Sequence, residues 1–198
     1  ELRAQYGGDY QFQTGSDCEP ILALYRDLYA DGHEPTDQDI CRMVERLSGI
    51  FAFVLYDHQR DRFLIARDPI GVIPLYIGYD EAGRIYVGSE LKALEGQCDH
   101  YEPFLPGHYY WSPAGSMKRY YRRDWMVYAN VAHNGASASA VRDSLQSAVR
   151  RQLMSDVPYG VLLSGGLDSS IISAVAARYS EHRVEEGGRT RAWWPRLH

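Results

Sequence analysis

The sequence predicts an α+β region followed by the opening of an α/β region, and two observations carry that reading. Between Tyr10 and Glu90, short apolar stretches recur with only a few polar residues between them; from Ala138, apolar positions fall at helical spacing instead. The second pattern then runs into Tyr159-Gly160-Val161-Leu162-Leu163, a loop at Ser164-Gly165-Gly166-Leu167-Asp168-Ser169-Ser170, and Ile171-Ile172-Ser173-Ala174-Val175. An apolar run bounded by Pro158 and a glycine pair suits a buried parallel strand, and the hydroxyl-rich residues after it suit a helix start.

In the first region Tyr10-Gln11-Phe12-Gln13 alternates. Thr14-Gly15-Ser16-Asp17 then supplies a turn and a cap before the periodic Ile21, Leu22, Leu24, Tyr25 and Leu28, so one helix is expected near the front. Strands are expected at Ile50–Tyr56, Phe63–Ala66, Leu75–Tyr79 and Arg84–Val87, separated by turns such as Asp80-Glu81-Ala82-Gly83. Connections this short require antiparallel neighbours, since parallel ones need crossovers of about a dozen residues. In the second region Val141, Leu145, Ala148, Val149 and Leu153 define a helix ahead of the strand and loop. Asp124 to Ser137, with Asn130, His133-Asn134-Gly135 and small residues, is the linker candidate. One parallel strand cannot form a sheet, so the second region needs further chain or a partner to cover Val161–Leu163.

The chain has 198 residues, and its 45% hydrophobic and 24% charged content are those of a globular protein. A net charge of −5 gives no reason to expect a nucleic-acid partner. Cys18, Cys41 and Cys98 are odd in number and widely spaced, which argues against a disulfide framework or a zinc site and fits a reducing cytoplasm. No apolar stretch approaches the roughly 18 residues of a membrane span, so no membrane role is expected.

The loop after Leu163 has the makings of a phosphate cradle. At a helix start free N–H groups point outward, the macrodipole adds positive potential, and glycines let the backbone approach a ligand closely. The lysine-containing phosphate loop is excluded because no Lys is present. Asp168 would repel an anion unless a cation lay between, so it reads as a Mg²⁺-side residue. The alternative is a Gly-Gly turn with Asp168 and Ser169 as ordinary helix caps.

The S-G-G-x-D-S spacing resembles the loop of the N-type ATP pyrophosphatases. Further motifs extend the likeness: Tyr10-Gln11-Phe12-Gln13-Thr14-Gly15-Ser16-Asp17-Cys18-Glu19, Arg67-Asp68-Pro69-Ile70-Gly71 with Pro74-Leu75-Tyr76, Ser89-Glu90-Leu91-Lys92-Ala93-Leu94, and Met154-Ser155-Asp156-Val157-Pro158. Together they make the chain similar to the bacterial-type, glutamine-hydrolysing asparagine synthetases over essentially its whole length.

That resemblance implies a partial N-terminal-nucleophile glutaminase with antiparallel sheets (a type 2 glutamine amidotransferase domain) at 1–123. It further implies a linker at 124–137 and the start of a parallel α/β ATP-pyrophosphatase domain at 138–198. It implies glutamine, aspartate and ATP as substrates, ATP and Mg²⁺ as cofactors, a β-aspartyl-AMP intermediate and a cytoplasmic enzyme, with a homodimer left open. Leu162, Ser164, Gly165, Gly166, Leu167, Asp168, Ser169 and Ser170 would bind ATP and its pyrophosphate, with Leu162 giving a backbone or apolar contact to the nucleotide and Asp168 on the metal. Asp17 would hold the α-ammonium of glutamine; read alone, it is a helix cap.

Departures from the family are expected to leave this chain incomplete or inactive. The family nucleophile is an N-terminal cysteine whose own amine serves as base, whereas residue 1 is Glu, so no catalytic residue is assigned. Cys18 has no free α-amine and reads as a packed thiol. The R-H-R-G-P-D, N-G-E-I-Y-N and S-G-E-G-S-D-E segments of the family are not in this sequence, and Trp193-Trp194 reads as cover for a sheet. Two other functions stand beside this one: a glutaminase-fused adenylating synthetase for a different carboxylate, and a catalytically dead interaction module.

Overall fold

The computed structural model describes residues 2–135, 137–153, 155 and 159–179. The chain divides into two compact units, Glu1–Asn130 and Val131–His198.

The first unit opens with three helices: α1 (Leu2–Tyr6), α2 (Glu19–Asp27) and α3 (Asp37–Glu45). Only α2 was expected. A capping box starts α3: the Thr36 hydroxyl accepts from the Asp39 amide at 3.3 Å, and the Asp39 carboxylate accepts from the Thr36 amide at 2.9 Å. That T-x-x-D spacing satisfies two amides at the helix end and was legible in the sequence. Tyr10–Gln13 alternates but forms no strand.

Seven strands follow: β1 (Ala52–Asp57), β2 (Arg62–Arg67), β3 (Tyr76–Tyr79), β4 (Ile85–Gly88), β5 (His100–Pro103), β6 (His108–Trp111) and β7 (Ser116–Arg119). All pairings are antiparallel, as the short connections require, but they build two sheets, β1-β2-β6-β7 and β4-β3-β5. The side-chain period of two then decides the cores. Leu64 and Ala66 of β2, with Tyr109 and Trp111 of β6, face one core that also holds Leu24, Ile40, Met43 and Val44 of the helices. Ile65 and Tyr110, between them in sequence, face the other core with Leu75, Ile77 and Phe104. The four-stranded sheet is therefore the middle layer, with helices on one face and the three-stranded sheet on the other. Burial of Leu64, Ile65 and Ile77, each 0% exposed, contributes about 1.5–3 kcal/mol apiece.

In the second unit α5 (Ala138–Gln152) occupies the expected periodic stretch, and the Ser137 hydroxyl accepts from the Ala140 amide at 3.3 Å as its N-cap. Before it, the stretch expected as linker holds a short 3-10 turn at Asp124–Met126 and α4 (Tyr128–Val131). Helix α6 (Leu167–Tyr179) packs on α5, with the Tyr179 hydroxyl donating to Gln146 Oε1 at 3.4 Å and Val149 and Ala176 buried.

The strand expected at Tyr159–Leu163 is not formed: residues 159–164 carry no ladder, and Leu162 is 96% exposed. An extended segment becomes a strand only when its amides and carbonyls find a neighbour. No other strand of this unit lies among the described residues. Met154, Asp156–Pro158, Trp193 and Trp194 lie outside them.

Candidate functional site

Asp17 sits on an irregular segment just ahead of α2. The N-cap of that helix is Cys18, which makes no side-chain capping bond. Asp17 is thus one residue outside the cap, and the helix leaves its carboxylate unused. It is exposed and, among the described residues, accepts only from the Cys18 thiol, at 3.7 Å. Cys18 itself is exposed, which corrects its reading as a packed thiol.

The segment before Asp17 is held by a residue that sequence reasoning passed over. Glu19 is 7% exposed and accepts from the amides of Gln13 at 2.6 Å and Thr14 at 2.8 Å and from the Thr14 hydroxyl at 2.7 Å. These donors, with Arg3 nearby, hold its carboxyl below the usual Glu range. One clue was legible beforehand: S-x-x-E at Ser16–Glu19 has capping-box spacing, though here the carboxylate turns back to Gln13 and Thr14 rather than to an N-cap amide.

Arg67-Asp68-Pro69-Ile70-Gly71 is a structural knot. The Arg67 guanidinium donates to the carbonyls of Ile73 (2.9 Å), Phe104 (2.6 Å) and Gly71 (2.8 Å). Asp68, 1% exposed, accepts from the amides of Ile70 at 2.9 Å and Gly71 at 2.7 Å. These bonds fix the passage from β2 towards β3.

In the second unit the loop at 164–166 turns into α6 through Gly165, whose φ of +85° is a conformation that L side chains rarely adopt. Nothing lies within 4 Å of a Cβ built on Gly165, and the nearest atom to one on Gly166 is Ser164 Oγ at 3.7 Å. Both glycines therefore present open backbone. The first backbone bond of the helix runs from the Ser170 amide to the Gly166 carbonyl at 3.1 Å, so the amides of Leu167, Asp168 and Ser169 have no helical acceptor.

The hydroxyls are engaged within the loop. Ser164 and Ser169 pair at 3.0 Å, while Ser169 and Ser170 donate to the Gly166 carbonyl at 3.1 and 2.7 Å. Leu162, Ser164, Leu167 and Ser170 are exposed. Asp168, in the first turn of α6, is exposed and neither accepts a hydrogen bond nor pairs with a cation among the described residues. A carboxylate unpaired among the described residues, beside amides with no helical acceptor, is a donor set that would suit Mg²⁺ shared with phosphate oxygens, the usual manner of holding that ion. No cluster of three or more His, Cys, Asp or Glu residues that could cage a metal occurs among the described residues. No described helix is long and apolar enough to cross a membrane.

Residues 1–96 match the model of a glutamine amidotransferase domain, and residues 140–188 match that of asparagine synthase. Asparagine synthetase B [glutamine-hydrolyzing] of Escherichia coli (strain K12) is 53% identical over 197 residues, covering 100% of this chain and 34% of its own length. The chain is a homologue of the glutamine-hydrolysing asparagine synthetases. It spans about a third of the length of the curated relatives it matches. A probable asparagine synthetase [glutamine-hydrolyzing] of Dictyostelium discoideum is 45% identical over 197 residues, covering 96% of this chain and 33% of its own length. Among solved structures, glutamine phosphoribosylpyrophosphate amidotransferase from B. subtilis overlays with a TM-score of 0.49 at 24% identity, covering 88% of this chain and 40% of that one; at that level it adds nothing to the sequence match. Asp17 falls within the glutamine amidotransferase match, and Leu162 to Ser170 fall within the asparagine synthase match.

Proposed function

We propose that the protein carrying this chain makes asparagine from aspartate, with ATP activating the side-chain carboxylate and glutamine supplying nitrogen. The aspartate carboxylate attacks the α-phosphorus of ATP, giving β-aspartyl-AMP and pyrophosphate. Ammonia from glutamine hydrolysis then displaces AMP. The observation that carries this reading is the open loop at 164–170, backed by a 13-residue helix, in a homologue of asparagine synthetases.

The amides of Leu167, Asp168 and Ser169 and the open backbone at Gly165 and Gly166 would bind the pyrophosphate portion of ATP, with Ser164, Ser169 and Ser170 rotating their hydroxyls onto it. Leu162 would lie against the nucleotide. Asp168 would hold Mg²⁺, which neutralises charge on the departing pyrophosphate. Asp17 would receive the glutamine α-ammonium. In this proposal residues 1–123 belong to the glutaminase part, 124–137 to the linker and 138–198 to the synthetase part. Three free thiols fit work in the reducing cytoplasm.

The test is Asp168→Asn in the full-length protein. It keeps the size of the side chain and removes its charge, so ATP–pyrophosphate exchange with aspartate should fall about 10²-fold or more, the scale of losing transition-state charge stabilisation. Glutamine hydrolysis should largely survive. Near-normal exchange would leave Asp168 as an ordinary first-turn carboxylate.

A further inference from the structure

Residues 10–18 have no helix or strand, yet their polar groups converge on one carboxylate. Glu19 collects three donors from Gln13 and Thr14. From the other side Arg3 of α1 approaches Glu19 Oε2 at 3.5 Å, donates to the Ser16 carbonyl, and lies 4.6 Å over the Phe12 ring. Side chains relay the hold towards Asp17: the Ser16 amide donates to Thr14 Oγ1 at 3.2 Å, and the Cys18 amide to Ser16 Oγ at 3.2 Å. The residues on both sides of Asp17 are thereby fixed, while its own exposed carboxylate accepts nothing but the Cys18 thiol among the described residues.

The arrangement is more than helix capping needs. A Glu in the first turn already suits the helix dipole when exposed and pointing at water. Burying it is costly unless its oxygens are satisfied, and here all three hydrogen bonds go to the loop rather than to the amides of its own helix. Charge-assisted bonds of this kind are roughly twice as strong as neutral ones, and they offset the entropy of ordering a segment that has no ladder.

We propose that Glu19 and Arg3 are positioning residues that clamp the Phe12–Ser16 loop and so present the Asp17 carboxylate at a fixed place to the α-ammonium of glutamine. This rests on the glutamine-binding reading of Asp17. Neither clamp residue touches the substrate; both act through the loop.

The test uses Glu19→Gln, Arg3→Met and Asp17→Asn in the full-length protein, reading amide hydrogen exchange at Gln13 and Thr14 and the glutamine KM and kcat. Glu19→Gln brings an NH₂ against the Gln13 and Thr14 donors, so at least one bond is lost and exchange at those amides should quicken. Misplacement of a binding group by about 1 Å costs up to about 10²-fold. The glutamine KM should therefore rise ten- to a hundredfold, falling on KM rather than kcat, with a smaller rise for Arg3→Met and partial rescue by Glu19→Asp. Quickened exchange with an unchanged KM, while Asp17→Asn raises it, overturns the clamp and spares the glutamine reading. An Asp17→Asn variant with normal glutamine KM overturns both. A drop in kcat at unchanged KM marks Glu19 as structural only and also overturns the proposal. Should Glu19→Gln fail to fold, Thr14→Val removes one of the three bonds and must still raise KM severalfold.

Discussion

Gly71→Ala should destabilise the first unit far more than Gly83→Ala, although both glycines have nearly the same backbone: φ is +72° at Gly71 and +75° at Gly83. Placing an L side chain in that region costs about 1–2 kcal/mol, and for Gly83 that is the whole cost, because a Cβ there would meet nothing within 4 Å. At Gly71 the same Cβ would come within 2.7 Å of Pro106 Cγ and 2.9 Å of Arg67 Cζ. Neither neighbour can yield cheaply, since one is a ring and the other a guanidinium bound to three carbonyls. Overpacking adds about 1–3 kcal/mol, and a guanidinium bond lost in the adjustment adds about 1.5 kcal/mol. The expected total is about 3.5–6.5 kcal/mol. With an m-value of about 2 kcal/mol/M, the urea midpoint should fall by about 2–3 M for Gly71→Ala and by about 0.5–1 M for Gly83→Ala. Losses equal to within about 0.5 kcal/mol would show that the crowding around Arg67 carries no energy, and the account of that knot would fail.

Gly165→Ala should leave folding intact, because its Cβ would stand in open space, yet lower ATP–pyrophosphate exchange about 5–30-fold through the 1–2 kcal/mol cost of φ +85°; unchanged exchange would mean that the cradle does not need this turn. Acid should weaken the first unit through Glu19. Its folded pKa lies below the unfolded value of about 4.3, so its contribution is complete above that value and is lost as the pH falls through the lower folded one. Urea midpoints taken from pH 6 to 3 should fall more steeply for the native chain than for Glu19→Gln, and parallel curves would remove Glu19 from the acid response.

Much of the first unit was written locally. The strands β1 to β4 lie within two residues of the apolar runs that predicted them, because alternation and turn residues are properties of neighbouring positions. The same holds for α2 and α5, and for the glycine and hydroxyl pattern of the 164–170 loop. Whether Val161–Leu163 becomes a strand was never local: its hydrogen-bonding neighbour must come from elsewhere in space, and none lies among the described residues of its unit. The sorting of seven strands into two sheets was likewise hidden, since β2 pairs with β6 across more than forty residues and only packing selects that partner. Ahead of α2, the residue type and position of Asp17 could be read directly. Its exposure outside the cap, and the turn of Glu19 back onto Gln13 and Thr14, could not, because a carboxylate next to a helix start has several local acceptor roles open to it and burial against α1 and the loop chooses among them.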